Sequence, residues 1–158
     1  MSTRDELVAA LQRSAPQVVT DGILFHQAVA DRLGVNVTDL RCLQILVEAG
    51  ALAPGALAER TGLTTGAVTR LIDRLEAGGW VARERDARDR RRVLVRPDPA
   101  RLAELAPLYE GVAAGWGQLL AGYRDDQLEL VLDLFQQMRA MSRREAARLR
   151  EARPPEVP

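Results

Sequence analysis

Nine of the ten positions from Arg83 to Arg92 are ionisable, six arginines and three acids, with Ala87 between them. The aliphatic run Val93-Leu94-Val95 follows, and Pro97 closes the stretch. A guanidinium is a rigid, permanently charged fork of N–H donors, suited to phosphate oxygens and other planar acceptors. A second set of candidates lies upstream in "TTGAVTRLIDRLE". There Thr64, Thr65, Gly66, Thr69, Arg70 and Arg74 remain when the aliphatic residues are turned inward. Such groups bind and orient; they do not break bonds. The chain has one histidine, one cysteine, no phosphate-cradling glycine loop and no metal-ligand spacing. No enzyme, cofactor or metal site is therefore expected.

The distribution of charge points the same way. All 22 basic residues are arginine, which reads mainly as codon bias, so the arrangement of arginines carries more weight than their number. The net charge is zero, yet residues 1–53 carry four bases and six acids, 54–96 ten and six, and 97–158 eight and ten. A basic centre between acidic flanks argues for a local electrostatic site and against a protein that coats polyanions generally.

With 158 residues the chain suits one domain, or a small domain plus helices that serve an oligomer. A chain of this size buries roughly 70% of the surface it exposes when unfolded. One cysteine excludes an internal disulfide. The start "MSTRDELVAALQR" has no continuous apolar core, and no apolar run is long enough for a membrane helix. A cytoplasmic protein with no membrane partner is expected.

The elements that must position the candidates follow from periodicity and from caps. Leu7, Leu11, Val18, Gly22, Phe25, Val29 and Leu33 recur at threes and fours, predicting a helix from about Asp5 to Leu33 that Pro16 bends or restarts. Thr38 is the expected cap of a second helix ending at Gly50, with Leu40, Leu43, Leu46 and Val47 inward. Pro54 opens a short helix to Thr61, Gly62 turns the chain, and Thr64 caps a further helix that ends near Gly78-Gly79. The spacing Ala58-x-x-x-Gly62, then Leu63 and Val68, is a helix-turn-helix signature. Leu63, Val68, Leu71 or Ile72, and Leu75 are expected to fill its crevice. "WVARER" and "RRVLVRP" predict a hairpin turning at Asp86-Ala87-Arg88-Asp89. Asp98-Pro99 starts a fifth helix expected to reach Ala121, and a last one is expected from Asp126 to Glu151. That last helix carries two apolar stripes, Leu128, Val131, Phe135 and Met138 beside Leu130, Leu134 and Met141. Two stripes call for two neighbours, one in the same chain and one in a second copy.

This order of elements resembles the MarR family of winged helix-turn-helix regulators. The match is carried by "LAERTGLTTGAVTRLIDRLEAGGWVARERDARDRRRVLV", Leu57 to Val95, where "DARDRR" fits the family's wing-tip pattern D-x-R-D-x-R in full. Many members follow the second wing strand with Leu-Thr and a glycine; here "RPDPARL" stands instead, with Asp98-Pro99 doing the capping. The expected fold is mainly α with a small β-hairpin wing. The winged helix-turn-helix would occupy residues 38–97, helical dimerisation regions 1–37 and 98–151, and a flexible tail 152–158.

The resemblance implies a homodimer on double-stranded DNA at a pseudo-palindromic operator, typically as a ligand-responsive repressor. The major groove accepts one α-helix, here residues 64–77. Arg70 can read guanine or hold phosphate. The wing, 83–96, is expected in the minor groove with Arg91 entering it and Asp89 holding Arg91; Arg88, Arg90 and Arg92 are candidate phosphate contacts. The family also binds small aromatic effectors, and His26, Tyr109, Trp116 and Tyr123 could line such a site. Three of these aromatics are spaced by seven on the fifth helix. They could equally be core, and a lone histidine surface. Gly111, Gly115 and Gly117 in the same helix allow close helix approach or leave room for a ligand. Cys42 offers a redox-sensing alternative, against a plain buried hydrophobe. A winged helix that binds protein instead of DNA is the other alternative, and it would not need the basic wing.

Overall fold

Residues 3–151 are described by a computed structural model of the chain; the tail expected at 152–158 lies outside the described residues. Helix α1 spans Arg4–Leu33. Thr3 caps it by accepting from the Glu6 amide while the Glu6 carboxylate accepts from the Thr3 amide. It runs through Pro16 without restarting. A proline inside a helix costs one backbone hydrogen bond, and thirty residues of helix absorb that loss here.

Helix α2, Val37–Ala49, starts earlier than the Thr38 cap implies. Asn36 is the cap, its side-chain oxygen accepting from the Asp39 amide at 2.8 Å. Leu40, Leu43 and Leu46 point into the core as expected, but Val47 is half exposed. Helix α3, Pro54–Thr61, turns at Gly62 into α4, Thr65–Ala77. Gly62 has φ 73°, a left-handed conformation that favours glycine. Thr64 caps α4 by accepting from the Ala67 amide.

Strands β1, Val81–Arg85, and β2, Val93–Pro97, pair antiparallel with Ala82 opposite Arg96 and Glu84 opposite Leu94. The turn between them is longer than the four residues expected, because Arg90, Arg91 and Arg92 stay outside β2. Leu52 adds a short rung to β2: its amide donates to the Val95 carbonyl at 3.1 Å and its carbonyl accepts from Val95 at 2.7 Å. The fifth helix of the sequence reading is divided, into α5, Pro99–Leu102, and α6, Ala106–Leu120. Pro107 explains the break. It has no N–H to reach back to Ala103 and its ring clashes with that carbonyl, so it is accommodated only in a first turn. Helix α7 spans Asp125–Glu151.

The chain packs as two units, one up to Leu108 and one from Tyr109. This division by packing is drawn at a different place from the partition expected from the sequence. The first unit holds the core: Leu40, Cys42, Leu43, Leu46, Leu57, Val68, Leu71, Ile72, Leu75 and Val95 are buried, and Trp80 seals its edge. Helix α6, whose residues from Tyr109 on belong to the second unit, has no buried residue. There Trp116 meets Phe135 edge to face, ring centres 6.3 Å apart. Leu130, Leu134 and Met141 are exposed, whereas Leu128, Val131 and Met138 of the neighbouring stripe are partly covered.

Candidate nucleic-acid interface

Helix α4 has two faces because its aliphatic residues fall three and four apart. Val68, Leu71, Ile72 and Leu75 are inside, and Thr65, Gly66, Thr69 and Arg70 are outside with Thr64 at the amino end. The Thr69 hydroxyl donates to the Thr65 carbonyl at 3.0 Å, so toward a ligand it is free to act as an acceptor. Arg70 makes no ion pair among the described residues and presents its whole fork. Arg74 is differently employed. It grips Asp39 of α2 with two nitrogens, Nε at 3.0 Å and Nη2 at 2.7 Å. The Asp39 side chain is 5% exposed and that of Arg74 51%. This hydrogen bond raises the arginine's pKa above its ordinary value, against a smaller desolvation effect. A shallow cavity of about 230 Å³ lies beside the pair, walled by Asn36, Thr38, Leu63, Ala67 and Arg70 among others.

The root and the tip of the wing treat charge in opposite ways. At the root, Arg83 pairs with Asp73 at 2.5 Å and with Glu76, both on α4. Those bonds, Asp73 first, raise its pKa further, with desolvation opposing them. Arg96 pairs diagonally with Glu84 across the strands at 2.8 Å. At the tip the acids serve the backbone. Asp86 accepts from the Arg88 amide at 2.8 Å and Asp89 from the Arg91 amide at 3.0 Å. The Arg92 amide donates to the Asp89 carbonyl at 2.9 Å, and the Asp86 amide to that of Arg92 at 3.0 Å. Asp89 therefore holds Arg91 by its main chain, a different bond from the side-chain pairing the sequence suggests. Arg85, Arg88, Arg90, Arg91 and Arg92 are exposed and make no ion pair among the described residues. The acids of this segment do not cancel those arginines; they build the frame that presents them.

The MarR family pattern matches residues 33–92, from the end of α1 to the wing tip. An uncharacterized HTH-type transcriptional regulator of Bacillus subtilis, YcgE, is 39% identical over 155 residues, 96% of this chain and 100% of that protein. The chain belongs to the MarR family. Members of that family are non-enzymatic DNA-binding proteins, so the chain is a DNA-binding transcriptional regulator and not an enzyme. The fold agrees. A MarR family protein from Bacillus stearothermophilus superposes with a TM-score of 0.68 at 20% identity, over 89% of this chain and 99% of that one. Apo MarR from Escherichia coli gives 0.59 at 23% identity, over 81% and 95%.

Within this MarR-family chain the aromatic candidates are distributed between the units. His26 is partly buried in the first, its Nδ1 2.7 Å from the Gly22 carbonyl. Tyr109, Trp116 and Tyr123 belong to the second. Tyr123 lies beyond the end of α6, in the turn before α7, so the seven-residue repeat is not one helical stripe. A Cβ at Gly111, Gly115 or Gly117 would meet nothing within 4 Å among the described residues, so no close approach among them requires these glycines. Cys42 is fully buried, and burial pushes its thiol up to about 11. Thiolate is the reactive form, so the redox alternative loses its chemical basis. Among the described residues no cluster could hold a metal ion and no helix is long and apolar enough to cross a membrane.

Three contributors escape the sequence reading. Asp39 lies 35 residues from Arg74, beyond any local pattern. Leu52 looks like part of a linker. Arg83 was legible in principle, since it follows Glu76 by seven and Asp73 by ten, at the exit of an acidic helix end.

Proposed function

We propose that this regulator acts in the cytoplasm as a homodimeric, effector-responsive repressor that places residues 64–77 in the major groove and the wing, 83–96, in the minor groove. Thr64, Thr65, Gly66, Thr69 and Arg70 meet bases and nearby phosphates. Arg91 enters the minor groove, where a narrow A·T-rich stretch has enhanced negative potential. Arg88, Arg90 and Arg92 hold phosphates, Asp89 shapes the tip, and Arg74 keeps α4 at its angle. The observation that carries this reading is the division of labour among charges: acids are tied to the frame, and unpaired arginines face outward beside α4. The exposed stripe of Leu130, Leu134 and Met141, with Leu7, Leu11 and Val18 of α1, supports a second copy as partner. Repression and homodimerisation are typical of the family. A small aromatic molecule at His26, Tyr109, Trp116 or Tyr123 is the proposed effector.

The test is titration of the protein into a duplex taken from upstream of its own gene, with a duplex of unrelated sequence as control. A dimer meeting ~8 phosphates gives a slope of log K against log salt near about −7, and half-sites roughly 34–36 Å apart. Arg91→Ala, folded and dimeric, is expected to reduce the slope by about 1 and affinity by about tenfold. Binding that ignores salt, or an Arg91→Ala protein that binds as wild type, defeats this placement of the wing.

A further inference from the structure

The carboxyl end of α4 is closed by a residue that the DNA reading does not use. Three amides cap the end from within the turn: Gly78 donates to the Arg74 carbonyl at 3.0 Å, Gly79 to Glu76 at 2.9 Å and Trp80 to Leu75 at 2.8 Å. The Gly78 carbonyl accepts from elsewhere. Arg101 of α5 reaches it with Nη2 at 3.2 Å. A helix carboxyl end carries partial negative charge and favours a cation there.

The same guanidinium lies over the Trp80 ring, its central carbon 4.3 Å from the ring centre. Nη1 donates to Glu104 at 2.6 Å, while the buried Nε has no hydrogen-bond partner among the described residues. The ring in turn rests on the helix end. A Cβ at Gly78 would come within 2.8 Å of Trp80 Cδ1, so only glycine leaves it room. Arg101 is itself aimed by Asp98, whose Oδ1 accepts from the Arg101 amide at 2.9 Å. The Asp98 amide donates to the Trp80 carbonyl at 2.9 Å. Helix end, indole and guanidinium thus form one stack, tied twice to the segment that leaves the wing.

We propose that Arg101 is a positioning residue for DNA recognition: through Trp80 and the Gly78 carbonyl it fixes the carboxyl end of α4 against the Asp98–Glu104 segment. The proposal rests on the reading of α4 as the recognition helix. A groove-reading helix must be held to within a fraction of an ångström, which its own amino-terminal contacts cannot do for its far end. The charge of Arg101 is already engaged by Glu104, the carbonyl and the ring. Arg101 therefore acts on specific recognition and contributes nothing to phosphate attraction.

The experiment compares wild type, Arg101→Met and Arg101→Lys on the duplex from upstream of the gene and on an unrelated duplex, over a range of salt. Met keeps a stem over Trp80 and removes the charge; Lys keeps the charge and loses the fork. Arg101→Met is expected to weaken specific binding about tenfold, with unrelated-duplex affinity and salt slope unchanged; Lys is expected to restore part of the loss. Wild-type preference in a folded Arg101→Met protein overturns the proposal. So does equal weakening on both duplexes with the slope reduced by about 1, which marks a phosphate contact. Should Arg101→Met not fold, Arg101→Lys decides: about threefold loss of preference supports the positioning role, and no loss overturns it. If wild type itself shows no preference, the recognition-helix reading fails and this proposal with it. Preference in wild type and in both variants removes only the role of Arg101.

Discussion

Helices α2 and α7 each carry a row of leucines, and the two rows meet opposite fates. Leu40, Leu43 and Leu46 lie on α2, which packs against α1, α3 and β2, and they have 1% exposure at most. Leu130 and Leu134 of α7 remain 69% and 48% exposed. Composition is part of the difference, since α2 is the more apolar helix, and the supply of neighbours is the rest. Helix α2 finds its three neighbours within about sixty residues of chain, whereas α7 meets α6 in the ring contact of Trp116 on Phe135. Large contiguous apolar surface left on a folded chain marks a surface that another molecule covers. The core around α2 is finished by its own sequence, whereas α7, like α1 of the first unit, leaves an apolar face open.

Substitutions can break or sharpen that contrast. The largest effect belongs to the finished core. Leu43→Ala is expected to reduce the unfolding free energy by about 2–5 kcal/mol, whatever the protein concentration in a denaturant titration. A loss that shrinks as protein is added would mean that this core too depends on a partner. Leu134→Glu is the converse test. It removes nothing from a core inside the chain, and it places a charge on the surface proposed for a second copy. Sedimentation should show a monomer, and affinity for the upstream duplex should fall about a hundredfold through loss of the second half-site. An unaltered dimer would assign that stripe to some other partner.

Asp39→Asn comes next and tests the polar tie inside the first unit. Breaking a fully buried pair is severe, but half of Arg74 is in solvent, so a cost of about 1–2 kcal/mol is expected by thermal or chemical unfolding. Specific DNA affinity should fall as well, because α4 loses its tie to α2. Unchanged DNA affinity in the folded variant would leave the pair a stabilising role alone.

The regions also differ in how much the sequence reveals of them. Helix α4 was legible to the residue because its signals are local: Gly62 before it, Thr64 at its cap and Gly78-Gly79 after it act within one turn of where they stand. The start of α2 differs from the Thr38 cap because Asn36 and Thr38 are both competent caps and the asparagine side chain is the one that reaches an amide. The division of the expected fifth helix is legible in Pro107, a local signal against a continuous helix there. Apart from Arg83 with Glu76 and Asp73, the arginine pairs are not legible. Which arginine of ten in residues 54–96 faces an acid depends on how strands and helices fold together, and Asp39 with Arg74 or Gly78 with Arg101 are separated by whole elements. Alternating charge in the wing said only that charge was there; the fold sorts it into root pairs and free tip residues.

The smallest effect expected is also a direct measure of how closed the first unit is. Cys42 sits among Leu40, Leu43 and Leu46 with no exposure, and burial, aided by the charge of Asp39 and opposed by Arg41, raises its thiol from 9.0 to about 11. The sign of the consequence follows from proton counting. Between about 9 and about 11 the unfolded chain has released this proton and the folded chain retains it. The folded state binds more protons there, so stability falls as pH rises through that window and the loss levels off above it. Cys42→Ala should flatten this part of the stability–pH curve while lowering the whole curve slightly for the missing sulfur. In the same window the wild-type thiol should resist alkylation until the chain unfolds. Parallel wild-type and Cys42→Ala curves, or alkylation of the folded protein at neutral pH, would show that the core around α2 opens to water far more often than the closed side of this comparison requires.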